Sequence, residues 1–386
     1  MIKVAVFTTT RGDMAILAPL LLRMKKDKKI KPLLFVGGTH LDKNYGKTIN
    51  EIESCKIRVN GVFRYETNRY SRGSLIESLS NAHLSIRKIF QKNNFDFVCI
   101  LGDRFEKLAI VNNAIIFNKP IIHLFGGEKS EGVIDEQIRH MITKASHLHF
   151  VMSEVYKKNI ISMGEQKFRV FNTGNSAIDS IKNIKKISYE KILKKLNLDY
   201  RKKFVILTYH PVTLKKRVST GKQIKNILSS LKKFDLQIII TFPGHEHESN
   251  IIKKILKKEV NKNKNYVLVK SLGFENLFNL LPKCSFVIGN SSSGITETPY
   301  FKIPTINIGE RQKGRFFHDS VINCRYSKNE ILKSIKKALS KNFLKKIKKT
   351  KYQFGNGNSS EKMIKVLKSI KINEKFLRKQ LINNIF

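Results

Sequence analysis

The sequence lacks most features that distinguish secreted, membrane-spanning and metal-binding proteins. Among 386 residues there is no tryptophan, and the 4 cysteines are scattered without a CxxC pair. This argues against a disulfide framework and a thiolate zinc site, and it predicts that Cys99 and Cys284, which lie in apolar runs, are buried thiols. No apolar run approaches the roughly 20 residues of a membrane-spanning helix, and the start, MIKVAVFTTT, indicates a strand rather than a signal peptide. We therefore expect a cytoplasmic protein without a membrane partner.

Acidic residues are scarce as well: there are 30, against 74 lysines and arginines, which gives a formal net charge of +44. Such a field attracts phosphate, nucleic acid or anionic lipid. The lysines are spread along the whole chain, however, and no nucleic-acid-binding motif accompanies them. A lysine-rich composition explains the charge, so we expect no nucleic acid partner. A polyanion-binding protein is the alternative of a different class.

Apolar runs of strand length alternate with helical patterns throughout the chain. A first series contains KVAVFT (3–8), KPLLFV (31–36), FDFVCIL (95–101), PIIHLF (120–125) and HLHFVMS (147–153). A second series contains FVILTYH (204–210), LQIIITF (236–242), YVLVK (266–270), CSFVIG (284–289) and PTINI (304–308). Continuous apolar strands between amphipathic helices indicate parallel sheets covered on both faces. We predict an α/β protein with two Rossmann-like domains, residues 1–173 and 174–358, followed by a helical tail at about 359–386.

Ligands of open parallel sheets bind beyond the carboxyl ends of the strands, so the polar residues after each run are the candidates. In GNSSSGITE (289–297), Ser291, Ser292 and Gly294 suit a phosphate-binding loop, and Glu297 suits ribose hydroxyls. The alternative is a capped helix start. Arg11 and Arg311 also follow strands and suit a diphosphate; the alternative is a solvated surface charge.

Carboxylates and a histidine follow other strands. Asp103 of GDRFE, beside Arg104, suits substrate orientation or proton transfer, or else it caps a helix together with Glu106. The loop GGEKSEGVIDE (126–136) gathers Glu128, Glu131, Asp135 and Glu136, which suits acid/base work because clustered carboxylates raise one another's pKa. The alternative is a flexible acidic loop with Asp135 as a helix cap. His210 suits phosphate binding or proton transfer; the alternative is a structural histidine. The HEHE segment (245–248) lacks helical metal-ligand spacing, so no metal is expected.

In this order, GDRFE, HLFGGEKSEGVIDEQIRH, HPVT, GNSSSGITE and INIGERQKGR resemble the hydrolysing UDP-N-acetylglucosamine 2-epimerases. The likeness includes bacterial enzymes of the sialic-acid pathway and the epimerase part of the bifunctional animal enzyme. It implies a glycosyltransferase-B-like fold, with two Rossmann-like domains facing each other across a cleft and a C-terminal helix that returns to the first domain. It also implies nucleotide contacts at Arg11, Ser291, Ser292, Glu297 and Arg311, and it places Asp103, Asp135 and His210 in the cleft, with Arg104 beside them.

Three departures from the family pattern leave the nucleotide and the sugar open. Phe125 stands where the animal enzyme has a catalytic glutamate, so that role is vacant or falls to Glu128. The chain reads RGDMA where relatives read RADYS or RAEYG, and GHEHES where relatives place an Asn and an Asp. Related enzymes act on UDP- or GDP-linked 2,4-diacetamido-2,4,6-trideoxyhexoses in legionaminic-acid pathways.

The resemblance implies elimination of the nucleoside diphosphate followed by rehydration, which releases an N-acetylmannosamine-type sugar. The residues proposed for acid/base work are Asp103, Glu128, Asp135 and His210, in no fixed order of roles. No cofactor is needed, and we expect a homo-oligomer, either a dimer or a tetramer. A glycosyltransferase of the same fold, using the same sugar nucleotide as donor, is the nearest alternative.

Overall fold

The computed structural model describes residues 1–43, 46–66, 71–212, 214, 218–244 and 248–382. The chain divides into two compact units. Unit 1 comprises Met1–Glu128, Asp135–Asn183 and Phe354–Phe386, and unit 2 comprises Lys129–Ile134 and Ile184–Gln353. Each unit has its own sheet and its own buried core.

The first sheet, in unit 1, contains seven parallel strands in the order β3-β2-β1-β4-β5-β6-β7. The strands are β1 (Ile2–Thr8), β2 (Ile30–Gly37), β3 (Val59–Phe63), β4 (Phe97–Leu101), β5 (Ile121–Leu124), β6 (Leu148–Val151) and β7 (Val170–Asn172). The central strands are buried throughout, as their continuous apolar sequences predict. From β1 the chain adds β2 and β3 on one side of the sheet. It then returns and adds β4 to β7 on the other side of β1, as in a doubly wound fold.

Helices connect these strands. They are α1 (Arg11–Lys26), α2 (Ile49–Ser54), α3 (Arg72–Lys92), α4 (Lys107–Ile116), α5 (Asp135–Ala145), α6 (Glu154–Ser162) and α7 (Ala177–Asn183). In α1, apolar side chains at helical spacing, including Leu17, Leu21 and Met24, are buried. The predicted domain boundary after residue 173 precedes α7, whereas unit 1 continues to Asn183. Two hydroxyls near this helix explain the difference, since Ser176 and Ser180 donate hydrogen bonds to backbone carbonyls of α1.

The second sheet, in unit 2, contains six parallel strands in the order β10-β9-β8-β11-β12-β13. They are β8 (Phe204–Thr208), β9 (Gln237–Thr241), β10 (Tyr266–Val269), β11 (Val287–Gly289), β12 (Thr305–Ile308) and β13 (Val321–Cys324). The helices of this unit are α8 (Tyr189–Lys195), α9 (Thr220–Leu231), α10 (Ser249–Val260), α11 (Gly273–Leu280), α12 (Ser293–Thr296), α13 (Lys328–Leu339) and α14 (Lys341–Lys348). Isoleucines and leucines of the central strands pack with those of the helices in one apolar core. The prediction of two Rossmann-like α/β domains is confirmed.

The end of the chain belongs to unit 1. It forms α15 (Ser359–Ser369) and the short α16 (Glu374–Leu377), so the predicted helical tail is helical only in part. The buried carboxylate of Asp179 accepts hydrogen bonds from the backbone N–H groups of Ser359 and Ser360 at 3.1 and 2.7 Å, and so caps α15. The buried Arg169 donates a hydrogen bond to the carbonyl of Phe376 at 2.8 Å.

Two expectations about composition can be compared with the structure. Cys99 and Cys284 are buried, as predicted, and all four cysteines are free thiols. Within the described ranges, no helix is both long and apolar enough to cross a membrane.

Candidate functional site

One group of predicted residues lies in unit 1, at the edge of the sheet where its strands end. Asp103 follows β4 and Glu128 follows β5. Because β4 and β5 are parallel neighbours, the segments that follow them leave the same edge of the sheet. Helix α5 begins shortly afterwards, at Asp135. The structure therefore places Asp103 and Glu128 on neighbouring segments, as the sequence analysis expected of residues that follow strands.

Arg139, on α5, holds this group together. Its side chain is fully buried, at 0% exposure. The guanidinium donates hydrogen bonds to the carboxylate of Asp103, to Oε2 of Glu136 at 2.7 Å and to the backbone oxygen of Glu128 at 3.0 Å. Burial alone would lower the pKa of Arg139, but the neighbouring Asp103 and Glu128 raise it above its ordinary value. The arginine is therefore a permanent buried cation that orients two carboxylates.

The sequence analysis counted Glu136 only as one of four clustered carboxylates, and it did not name Arg139. Their spacing, one helical turn apart within IDEQIRH, is the signal that could have identified the pair. Glu136 also accepts a hydrogen bond from Nε2 of His140 at 3.1 Å if that nitrogen carries the proton. The side chains of Asp103 and Glu136 are about one-fifth exposed, so solvent and small molecules reach the carboxylates although not the arginine between them.

The other acidic residues of the loop have different surroundings. Asp135 is the first residue of α5, where the alternative interpretation put a helix start. Glu131 belongs to unit 2, where its N–H donates to the carbonyl of Lys313 at 3.0 Å and its carboxylate pairs with Nζ of Lys313 at 2.9 Å. Gly132 lies against Glu310 so closely that a Cβ would be 2.4 Å from its carbonyl oxygen. These contacts hold residues 131 and 132 against the segment that follows β12.

Phe125 occupies the position of the glutamate found in the animal enzyme. Its side chain is buried, and its N–H donates a hydrogen bond to the carbonyl of Phe150 at 2.8 Å. The backbone has φ of +65°, a left-handed conformation that bulky residues rarely adopt. A phenylalanine supplies neither acid nor base, so the role of that glutamate is not filled at this position.

Arg104 is paired inside its own loop. Its Nε donates a hydrogen bond to Oε1 of Glu106 at 3.0 Å, and Glu106 is completely buried. Burial would raise the pKa of Glu106, but Arg104 and Lys107 outweigh it and lower the pKa below its usual value. The N-cap of α4 is Glu106 rather than Asp103. The alternative that Asp103 caps this helix is therefore wrong.

Arg11 is the first residue of α1, and Asp13 fixes the turn that carries it. The buried Asp13 carboxylate accepts hydrogen bonds from Thr9 N at 2.9 Å, Thr10 Oγ1 at 2.8 Å and Lys107 Nζ at 3.1 Å. Burial would raise the pKa of Asp13, but Lys107 and the Thr9 N–H outweigh it and hold the pKa at about 2. The carboxylate of Asp13 is thus an ionised structural group, and its hydrogen bonds fix the start of α1 at Arg11.

A second group lies in unit 2, around Asn290. His210, two residues after β8, donates its backbone N–H to Oδ1 of Asn290 at 2.7 Å. Arg311 Nη1 and Gln312 Nε2 both donate to the backbone oxygen of Asn290, at 3.0 and 2.8 Å. The predicted His210 and Arg311 are thus joined through one residue, which the sequence analysis had treated only as part of the serine-rich loop.

The serine-rich loop forms a single helical turn, α12, rather than a long helix. Ser292 is exposed and Ser291 half-buried, whereas Glu297 is buried. Gly294 is buried against β12: a Cβ there would be 2.9 Å from Cγ2 of Thr305, so glycine permits the close approach of α12 to the sheet. Packing accounts for Gly294, and its contact with a nucleotide stays a prediction.

Among the residues that the structure describes, no group of three or more His, Cys, Asp or Glu side chains is placed to hold a metal ion. His245, Glu246 and His247, from the HEHE segment, lie outside the described residues.

Comparison with known proteins adds independent findings. A family model described as UDP-N-acetylglucosamine 2-epimerase matches residues 22–368. A GDP/UDP-N,N'-diacetylbacillosamine 2-epimerase (hydrolyzing) from Campylobacter jejuni is 35% identical over 343 residues, which are 88% of this chain and 88% of the relative. A UDP-N,N'-diacetylbacillosamine 2-epimerase (hydrolyzing) from Legionella pneumophila is 31% identical over 380 residues, 98% of each protein.

Two solved structures share the fold at low sequence identity. UDP-GlcNAc 2-epimerase from Neisseria meningitidis, bound to UDP-GlcNAc, has a TM-score of 0.78 at 18% identity and covers 96% of this chain and 100% of its own. The Methanocaldococcus jannaschii enzyme, in complex with UDP-GlcNAc and UDP, also has a TM-score of 0.78, at 19% identity, and covers 95% of this chain and 99% of its own.

Proposed function

Because the chain belongs to the UDP-N-acetylglucosamine 2-epimerase family, we propose that it is a hydrolysing 2-epimerase of a UDP- or GDP-linked 2,4-diacetamido sugar. Two relatives, at 35% and 31% identity, are named for N,N'-diacetylbacillosamine linked to these nucleotides. The products are the free 2-epimer, which is an N-acetylmannosamine-type sugar, and the nucleoside diphosphate. UDP-N-acetylglucosamine is the alternative substrate of the same reaction.

The reaction proceeds in two stages. In the first, the bond between C1 and the diphosphate oxygen breaks and a base takes the proton from C2, which leaves a 2-acetamidoglycal. In the second, water supplies a hydroxyl to C1, and C2 gains a proton on the opposite face. The C2 proton is not acidic while C1 is an acetal, so charge development at C1 leads. Stabilisation of the departing diphosphate is therefore as important as the base.

The observation that carries the proposal is the cluster of Asp103 and Glu136 around the buried Arg139. Elimination and rehydration need one group that accepts a proton and one that returns it to the other face of the sugar. A fully buried arginine fixes the orientation of the two carboxylates, which are the proposed acceptor and donor of these protons. Glu128, whose carbonyl binds the same arginine, and Asp135, at the start of α5, remain proposed members of the site.

The nucleotide is proposed to bind to residues of unit 2, with Arg11 and Arg104 as the predicted contributors from unit 1. Arg311 supports this, because its Nε is buried and meets no hydrogen-bond acceptor among the described residues. An unsatisfied buried donor costs about 1–3 kcal/mol, and an oxygen of a diphosphate is the acceptor that would remove this cost. Exposed Ser292 and half-buried Ser291 offer hydroxyl donors, and Glu297 an acceptor for ribose.

We also propose that the protein is a homo-oligomer, in which a second copy covers an apolar face of α3, α4 and α5. Five large apolar side chains on these three helices are between 52% and 77% exposed: Ile76, Leu84, Ile115, Ile116 and Met141. Helix α4 has only one charged residue, the buried Lys107. With a net charge of +44, copies repel one another wherever lysines face outward, so a low-charge apolar face is where two copies can meet.

A cytoplasmic location completes the proposal. The four cysteines are thiols rather than disulfides, which suits a reducing compartment. The proposed substrates are nucleoside-diphosphate sugars, and the arginines of the site suit their phosphates.

The decisive experiment is a substrate panel. The purified chain is incubated separately with UDP-N,N'-diacetylbacillosamine, its GDP counterpart and UDP-N-acetylglucosamine, without an acceptor, and the products are identified by NMR and mass. We expect free 2-epimerised sugar and nucleoside diphosphate from at least one diacetamido substrate. Release of sugar with its original configuration at C2, or turnover only when a sugar acceptor is present, would favour the glycosyltransferase alternative. Salt-sensitive binding of random DNA without turnover would favour the polyanion-binding alternative.

A further inference from the structure

A side chain, rather than a neighbouring strand, completes the end of strand β8. The strand pairs with β11 as far as Thr208 and Gly289. His210 follows, and then Pro211, which has no N–H and cannot continue the ladder. The carboxamide of Asn290 takes the place of the missing strand: Oδ1 accepts the His210 N–H at 2.7 Å, and Nδ2 donates to the His210 carbonyl at 2.8 Å.

This arrangement requires an amide. The backbone of His210 offers one donor and one acceptor, and a carboxamide is the side chain of this size that answers both. Asn290 is 1% exposed, so water does not replace either bond. An aspartate of the same shape would set a carboxylate oxygen against the His210 carbonyl, and a serine would not reach both groups.

The backbone of Asn290 is fixed as well. Its N–H donates to the carbonyl of Thr208 at 3.1 Å, and its carbonyl accepts from Arg311 and Gln312. The side chain therefore projects from a point that the sheet and the Arg311 loop both hold. One buried residue sets the position of His210 relative to Arg311.

The imidazole of His210 has a contact of its own. Its Nδ1 lies 3.2 Å from the backbone nitrogen of Gly244, whose N–H is the donor. A ring nitrogen that accepts a hydrogen bond carries no proton, so the neutral ring bears its proton on Nε2. In this tautomer Nε2 donates a hydrogen bond and cannot take up a proton.

We infer that Asn290 is a positioning residue which, together with the N–H of Gly244, holds His210 in the neutral tautomer protonated at Nε2. The consequence for catalysis rests on the proposed function. His210 donates a hydrogen bond to an oxygen of the departing diphosphate, and the C2 proton goes to a carboxylate instead. This separates two roles that the sequence left open for His210, namely base and phosphate ligand.

The tautomer is tested without substrate. The full-length protein is labelled with ¹⁵N at histidine, and the two ring nitrogens of His210 are assigned by comparison with His210→Gln. We expect an unprotonated Nδ1 and a protonated Nε2 near neutral pH. In Asn290→Asp we expect this pattern to be lost or mixed. The matched control is Asn276→Asp, since Asn276 also donates its amide to a backbone carbonyl, that of Leu272 at 2.8 Å, but does so on α11 rather than beside His210.

Activity provides the second arm. Misplacement of a catalytic group by about 1 Å costs on the order of 100-fold in rate, so we expect kcat of Asn290→Asp to fall by about that factor while the control stays near wild type. His210→Gln, which keeps an N–H donor near the Nε2 position, should retain at least about ten times the rate of His210→Ala, since a donor role survives where a base would be lost.

Three results would overturn the inference: a proton on Nδ1 in the wild-type protein, Asn290→Asp as active as its control, or equal rates for the two His210 variants. Failure of the proposed function is distinguishable from these. If no epimerised sugar forms although the NMR pattern is as expected, the proposed reaction is wrong while the positioning of His210 by Asn290 stands. If Asn290→Asp does not fold, Asn290→Ser serves for the same comparison.

Discussion

The carboxylate of Asp103, which follows β4, is bound by the guanidinium of Arg139, which lies on α5. The two residues are 36 positions apart in the chain, and each is held in place by a different element of unit 1. Arg139 binds Glu136 and the Glu128 carbonyl with the same planar group. The orientation of the carboxylates therefore depends on the several coplanar N–H donors of the guanidinium, and not only on its positive charge.

The first prediction follows from the planar guanidinium of Arg139. Arg139→Lys keeps the charge but replaces several directed N–H groups with one ammonium, which cannot reach three oxygen partners from the same position. We expect kcat to fall by about 10²-fold or more. Steady-state kinetics and a thermal melt of the variant check this, the melt showing that the protein is still folded. A folded Arg139→Lys enzyme with wild-type kcat would show that the guanidinium geometry has no catalytic role.

The second prediction concerns the proton at C2. Elimination and rehydration replace it with one from solvent, so the sugar released in heavy water should carry deuterium at C2. Asp103→Asn and Glu136→Gln keep the shape of the side chain and remove its basicity, and each should slow the reaction by about 10²–10⁴-fold. NMR of the product gives both the isotope content and the rate.

Glu131→Gln is the control for those two substitutions. Glu131 is about half exposed and forms a surface ion pair with Lys313, the kind of pair that contributes about 0–1 kcal/mol. Its loss should leave the rate unchanged. Protium at C2 of the product from the wild-type enzyme would exclude the elimination mechanism.

The third prediction concerns the nucleotide. Ser292→Ala and Arg311→Ala should each weaken binding of the nucleoside diphosphate by about 1–3 kcal/mol, the range for hydrogen bonds to charged groups. Isothermal calorimetry with UDP and with GDP measures the change and shows which nucleotide the protein prefers. Unchanged affinity for both nucleotides in both variants would place the diphosphate elsewhere.

The fourth prediction concerns stability. The folded-state pKa of Asp13, at about 2, lies below its ordinary value of 3.8. A depressed carboxyl pKa stabilises the fold above the unfolded pKa, so this contribution is present at neutral pH and is lost as pH falls from about 3.8 toward 2. Lys107→Met leaves the buried carboxylate without its cation and should cost about 3–5 kcal/mol at pH 7.

Urea unfolding of Lys107→Met beside Lys368→Met tests this. Lys368 pairs with Asp27 at 2.9 Å on the surface, and its loss should cost about 1 kcal/mol or less. The difference between the two variants should shrink in acid, where Asp13 is protonated in both states. Equal free energies of unfolding at pH 7 would show that the buried pair adds nothing beyond a surface pair.

The fifth prediction concerns oligomeric state. Leu84→Asp combined with Ile116→Asp places two charges on the apolar face of α3, α4 and α5, and it should convert the oligomer to monomer because each carboxylate would be buried at the contact. Light scattering after size-exclusion chromatography measures the mass. Ile372→Asp, at a 42% exposed site near the chain end, should leave the mass unchanged. A wild-type monomer at micromolar concentration would contradict the proposal directly.

The central strands could be predicted from sequence because burial on both faces makes them continuously apolar. The strands that the apolar runs did not reveal, β3, β7 and β13, all lie at sheet edges. Their residues are only partly buried, and Val59–Phe63 even alternates with exposed positions. An edge strand has one neighbour and needs less apolar surface, so its sequence carries a weaker signal.

Candidate site residues could be predicted from sequence only where they come directly after a strand of their own. Asp103, His210 and Arg311 stand at such positions, and the sequence analysis named them. Arg139 binds Asp103, 36 positions away, and Asn290 binds His210, 80 positions away, so their roles depend on which segments the fold brings together. Arg139 resembles any helical arginine in a basic protein until its three oxygen partners are known.

The division of unit 1 into separate stretches of chain affects how the protein is made. Residues 184–353, which are 170 residues of unit 2, are translated between Asn183 and the returning segment that carries α15. At about 5–20 residues per second, this interval lasts on the order of ten to thirty seconds on a ribosome. During that time Asp179 has no helix to cap and Arg169 has no carbonyl of Phe376 to bind. Unit 2 can finish folding first, whereas unit 1, whose synthesis starts earlier, is completed last.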